Sequence, residues 1–96
     1  VVGTHTHTPT LDFRVLEGGT AYQTDAGMCG DYKTIIGMDR DAALKRFFTG
    51  VRGERLQPGS GEGTISGVKI VGDIKTGLAK AIEPIIIGAN LTKQFT

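Results

Sequence analysis

Apolar residues crowd two long stretches near the end of the chain. Thr64 to Ile74 and Leu78 to Gly88 are rich in Ile and Val and are separated by Lys75-Thr76-Gly77. Such runs predict two strands of a hairpin. Pro84 lies inside the second run and has no N–H to give a ladder, so it belongs on an edge or near a strand end. Shorter runs precede these. Val1-Val2-Gly3-Thr4 reads as the end of a buried strand, which Thr8-Pro9-Thr10 leaves. Phe13 to Leu16 and Thr20 to Thr24 read as two short strands. Between them Glu17-Gly18-Gly19-Thr20 is a turn, because Gly tolerates positive φ. Asp25 to Tyr32 reads as a loop, and Thr34-Ile35-Ile36 as a brief apolar run.

A different period appears at residues 40 to 49. Leu44, Phe47 and Phe48 fall at i, i+3 and i+4, which places them on one face of a helix. Asp39 is a suitable N-cap, and Gly50 a suitable residue just past the C-terminus. Asp41 in the first turn and Lys45 and Arg46 near the last suit the helix dipole. Residues 51 to 63 carry four glycines and a proline and read as loop or linker. Residues 90 to 96 read as a tail.

Composition narrows the classes. A chain of 96 residues makes at most one domain. Its longest strictly aliphatic run is Ile85-Ile86-Ile87, so no segment spans a bilayer as a helix, and no membrane partner is expected. Lys plus Arg number 11 against 10 for Asp plus Glu, with no block of like charge. Strong nucleic-acid binding is therefore not expected. Cys29 is the single cysteine, and no secretory signal is visible, so the expected compartment is the reducing cytoplasm. Asn90-Leu91-Thr92 has the spacing of a glycosylation acceptor, which without a signal reads as a chance match.

The candidate chemistry is concentrated in Gly3-Thr4-His5-Thr6-His7, which holds both histidines of the chain. Two histidines placed at random would fall at i, i+2 about 2% of the time, so composition alone does not account for the pair. On an extended strand, residues i and i+2 share a face, and two imidazoles would converge on one metal ion site. Gly3 would let another backbone approach. The same two residues also read as solvated histidines in a Thr-rich stretch. Two ligands do not complete a metal site; Asp12, Asp25 and Asp31 are further candidates, each with an ordinary reading as a turn residue. Cys29 could ligate or react, or be a small loop residue. Arg52 and Arg55 could bind phosphate or simply be solvated.

Several segments together resemble one family. They are Val1 to His7, Gly18-Gly19-Thr20-Ala21-Tyr22-Gln23-Thr24-Asp25-Ala26-Gly27-Met28, Ile36-Gly37-Met38-Asp39, Arg46-Phe47-Phe48-Thr49, and Thr76 to Glu83. The pattern resembles the C-terminal end of YmdB-like bacterial metallophosphoesterases, a branch of the calcineurin-like superfamily similar to 2',3'-cyclic-nucleotide 2'-phosphodiesterases. The resemblance implies an α/β fold, with this chain as the β-rich C-terminal piece of a layered metallophosphoesterase sandwich. Residues 1–89 would complete one domain, and 90–96 would be its tail. It implies a phosphodiesterase acting on 2',3'-cyclic nucleotides or similar phosphoesters through a hydroxide bridging two metal ions. His5 and His7 would bind one metal each, with iron as the expected metal and manganese as the alternative. The family's remaining ligands (Asp, a bridging acid, Asn and a further His) and its general-acid His have no match here. The chain alone is therefore expected to be inactive, and the missing motifs to lie upstream of Val1. A homo-oligomer is compatible with this reading. The chain departs from the family pattern at Thr8-Pro9-Thr10-Leu11-Asp12 and at Cys29, where a small hydroxyl residue is more usual.

Two other readings compete. His5-Thr6-His7 near the amino end also suits metallohydrolases of the polymerase-and-histidinol-phosphatase type, which need further histidines downstream. A non-catalytic β-rich interaction module would leave both histidines exposed.

Overall fold

The structure is a computed structural model that describes residues 1–50, 55–88 and 90–93. It is a mixed α/β arrangement, rich in strand and carrying one helix among the described residues. In chain order the elements are β1 (Arg14–Val15), β2 (Ala21–Tyr22), α1 (Arg40–Thr49), β3 (Thr64–Gly72) and β4 (Ala79–Gly88). β1 pairs antiparallel with β2, and β3 with β4.

The long hairpin forms where the two β-rich runs place it. Ile70 faces Ile82, Ser66 faces Ile86, and Thr64 faces Gly88 across the ladder. Asp73 makes the turn: its carboxylate accepts the N–H groups of Lys75 at 2.8 Å and Thr76 at 3.3 Å. Those donors favour the charged carboxyl and hold it below the ordinary carboxylate value. Pro84 sits opposite Val68 in mid-strand rather than near an end. A two-stranded sheet has only edges, so an imino acid is accommodated there.

The small hairpin also forms as its glycines demand. Gly18 and Gly19 take φ of 98° and 94°, and the Leu16 N–H bonds the Thr20 carbonyl at 2.7 Å. Arg14 lies over the Tyr22 ring across the pair, 5.0 Å from its centroid. The two hairpins join where the Ala79 N–H reaches the Gly19 carbonyl at 2.8 Å.

Two expectations need correction. Val1 to Thr4 is not a buried strand. Val2 makes a single parallel bridge to Gln23, and Val1 is 74% exposed. The apolar run Thr34-Ile35-Ile36 leads into a tight turn over Ile35 to Met38, with reciprocal Ile35–Met38 backbone bonds of 3.0 and 2.9 Å. Helix α1 has the expected bounds, and Gly50 caps it in the left-handed conformation. Its Asp39 side chain makes no cap bond, and its apolar face is not buried. Phe47 and Phe48 are 80% and 78% exposed and meet only edge to face.

The buried apolar set is small: Ala21, Ala26, Ile82 and Ile86. Beside it lie buried polar residues, Gln23, Asp25, Thr64 and Ser66. Burying polar groups is costly unless hydrogen bonds replace water. The Gln23 side-chain amide donates to the Thr10 carbonyl at 3.1 Å and the Ser66 hydroxyl bonds the Tyr32 hydroxyl at 3.0 Å, but Gln23 Oε1 and Thr64 Oγ1 have no partner among the described residues.

Candidate functional site

Residues 1–10 are held against residues 21–26 by main-chain bonds. The Gln23 N–H donates to Val1 and the Gly3 N–H to Gln23, at 3.0 and 3.1 Å. The Ala26 N–H donates to Gly3 at 2.9 Å, and the Thr10 N–H to Asp25 at 3.0 Å. A Cβ at Gly3 would collide with the Thr24 carbonyl. The close backbone approach expected at Gly3 is therefore present, and glycine is required for it.

Between Gly3 and Thr10 the chain bends outward, carrying the histidines. His5 is exposed in the bend. His7 has φ of 64°, in the left-handed region. The alternation of an extended strand does not apply here, so the shared face predicted for i and i+2 is not what presents the two rings.

His7 is nonetheless oriented. Its Nδ1 lies 2.9 Å from the Ile36 carbonyl oxygen. A carbonyl only accepts, so Nδ1 carries the proton and donates. In the neutral ring the lone pair then resides on Nε2, the arrangement by which second-shell carbonyls prepare metal-ligating histidines. The donor set thus fits a metal at His7 Nε2. Among the described residues no three His, Cys, Asp or Glu side chains converge to hold a metal ion.

The three aspartates are otherwise engaged. Asp12 accepts hydroxyl bonds from Thr10, at 2.6 Å, and from Thr24, and also the Thr24 N–H at 3.1 Å. Those donors, Thr10 foremost, hold its carboxyl at about 2. Asp25 is fully buried, and its carboxylate accepts the N–H groups of Thr6 and of Gly27, the latter at 2.8 Å. Burial pushes the Asp25 carboxyl up. The Gly27 and Thr6 donors outweigh this and leave it below its ordinary value. Asp31 accepts the N–H groups of Lys33 at 2.9 Å and Gly61 at 3.0 Å, and the Asn90 amide at 3.4 Å. Cys29 donates weakly to the Ser66 carbonyl at 3.5 Å. Arg55 is exposed, and Arg52 lies outside the described residues.

Ile36 was not a candidate on sequence grounds. Ile36-Gly37 does have the length of a two-residue hairpin turn, but a β-branched residue is a poor signal for the positive φ that Ile36 adopts, 47°.

The sequence model of the family described as YmdB-like protein matches residues 1–85. The chain belongs to the YmdB-like family. Across 87 residues it is 51% identical to the 2',3'-cyclic-nucleotide 2'-phosphodiesterase of Bacillus subtilis (strain 168), a match covering 91% of this chain and 33% of that relative. The crystal structure of a novel phosphatase from Mycoplasma pneumoniae is similar, with a TM-score of 0.86 at 34% identity. That match covers 92% of this chain and 31% of the phosphatase. A hypothetical protein from Thermus thermophilus has a similar crystal structure, with a TM-score of 0.82 at 41% identity, covering 92% of this chain and 34% of that one. This YmdB-like chain thus spans about a third of the length of the relatives it matches. Family membership bears out the YmdB-like resemblance.

Proposed function

We propose that this segment supplies part of the catalytic centre of a phosphodiesterase that hydrolyses 2',3'-cyclic nucleotides or similar phosphoesters. His5 and His7 are the residues that would each hold one metal ion, iron or alternatively manganese. The observation that carries the reading is the His7 Nδ1 to Ile36 carbonyl bond, which leaves Nε2 free to ligate. The name of the Bacillus subtilis relative supports the substrate class. Bound metal would supply positive charge to the phosphoryl oxygens and acidify a water. The chain's own contribution is to carry both imidazoles on a bend that is anchored at both ends by main-chain bonds. The remaining ligands and the general acid would belong to the rest of a layered α/β sandwich, to which this segment contributes two hairpins and a helix.

The test uses the intact protein. His5→Ala and His7→Ala should each lose bound metal by elemental analysis. Hydrolysis of a 2',3'-cyclic nucleotide should fall by about 100-fold or more. Wild-type metal content in both variants would overturn the ligand assignment.

A further inference from the structure

We propose that Asp25 is a positioning residue whose buried carboxylate holds the His5-Thr6-His7 bend in its ligating arrangement before any metal binds. The inference rests on the reading of His5 and His7 as ligands. Thr6 stands between them, and its N–H is accepted by one Asp25 carboxylate oxygen. The other oxygen accepts the Gly27 N–H at 2.8 Å. Both oxygens therefore face amide donors.

The Asp25 backbone from which the carboxylate projects is bonded on both sides. Its N–H donates to the Thr10 hydroxyl at 3.0 Å, and its carbonyl accepts the Thr10 N–H at 3.0 Å. Gln23, two residues earlier, is bonded to Val1 and Gly3 and sends its side-chain amide to the Thr10 carbonyl at 3.1 Å. Thr4, His5, Thr6 and Thr8 are all exposed, so little side-chain packing constrains the bend. What defines it is a small set of polar contacts. Thr6 and Thr8 close a local turn, in which the Thr6 hydroxyl donates to the Thr8 carbonyl at 3.0 Å. The Ile36 carbonyl holds His7 from the outside. Asp25 grips the peptide between the two histidines from the inside. A charged acceptor strengthens the Thr6 bond relative to a neutral one, and burial excludes competing water.

An asparagine cannot substitute. Whichever way its amide is turned, its NH2 group faces either the Thr6 N–H or the Gly27 N–H, donor against donor. In the intact protein, Asp25→Asn should keep its far-UV circular dichroism yet bind Mn²⁺ about 10- to 100-fold more weakly in a direct titration, the range for loss of a supporting residue around a metal ligand. An independent measurement needs no variant. In the metal-free wild-type protein the Thr6 amide should exchange with solvent at least about 100-fold more slowly than in an unstructured peptide, although Thr6 is exposed. Asp25→Asn with wild-type Mn²⁺ affinity would overturn the proposal. So would a Thr6 amide exchanging at the free-peptide rate in metal-free protein, which decides the matter even where the variant does not fold. If His7→Ala loses metal while Asp25→Asn retains full affinity, only the positioning role fails. If His7→Ala retains its metal, the ligand reading beneath it fails.

Discussion

Ile36 occupies a backbone region that β-branched residues avoid. Its φ of 47° costs about 1–2 kcal/mol relative to a residue tolerant of left-handed geometry. Its side chain is 60% exposed, so packing returns little of that cost. The turn nonetheless aims the Ile36 carbonyl at His7. Strain of this kind tends to collect where a site needs a particular orientation. Asn-Gly is the preferred pair for such a two-residue turn. Ile36→Asn should therefore stabilise the intact protein by about 1 kcal/mol, read as a higher denaturation midpoint. Bound metal should be retained, because the carbonyl remains. A lower midpoint would show that the exposed Ile36 side chain contributes more than its backbone costs. The aspartates carry the opposite lesson. Asp12, Asp25 and Asp31 were legible as candidate ligands, and only the fold reveals that backbone amides and threonine hydroxyls already engage all three.

At the scale of elements, the two hairpins and the helix were legible because each rests on a local signal. Runs rich in Ile and Val, a Gly-Gly turn and a capping glycine all act over a few residues. The connections between elements were less legible. Asp12 precedes β1, and its carboxylate is bonded to Thr24, beyond β2. This staple spans the small hairpin and gives a pH dependence of definite sign. The folded Asp12 carboxyl titrates at about 2, below its unfolded value of 3.8. Its stabilising contribution is therefore complete above about pH 4 and is lost as pH falls towards 2. Asp12→Asn should lose less stability than wild type between pH 5 and pH 2 in denaturant titrations. An identical loss in both proteins would place the acid sensitivity elsewhere. Asp25 and Asp73 are shifted in the same direction and account for a residual slope in the variant.

For the molecule as a whole, the described chain is extended. Its radius of gyration is 16.8 Å, against about 13 Å for a compact domain of similar length. Four small or medium residues make the apolar core, while Phe47, Phe48, Ile74 and Leu11 stand open. Such a core contributes little against the conformational entropy of nearly a hundred residues. Produced alone, the segment should unfold without a sharp cooperative transition and should not hydrolyse a chromogenic phosphodiester with added Mn²⁺. Turnover at an enzyme-like rate would overturn the proposal that its ligand set is partial. The exposed face of α1 and the apolar surface of the long hairpin are consistent with packing against the larger body that the relatives' lengths imply.

By itself the sequence determined the two hairpins, the helix and the family. Each depends on contiguous residues whose spacing or stereochemistry is read directly. The tertiary structure decided how the histidines are presented. It replaced an extended strand with a bend, gave His7 its proton on Nδ1, and joined Asp25 to the peptide between the two rings. Those outcomes depend on hydrogen bonds between residues 19 and 29 positions apart, whose partners no local pattern specifies.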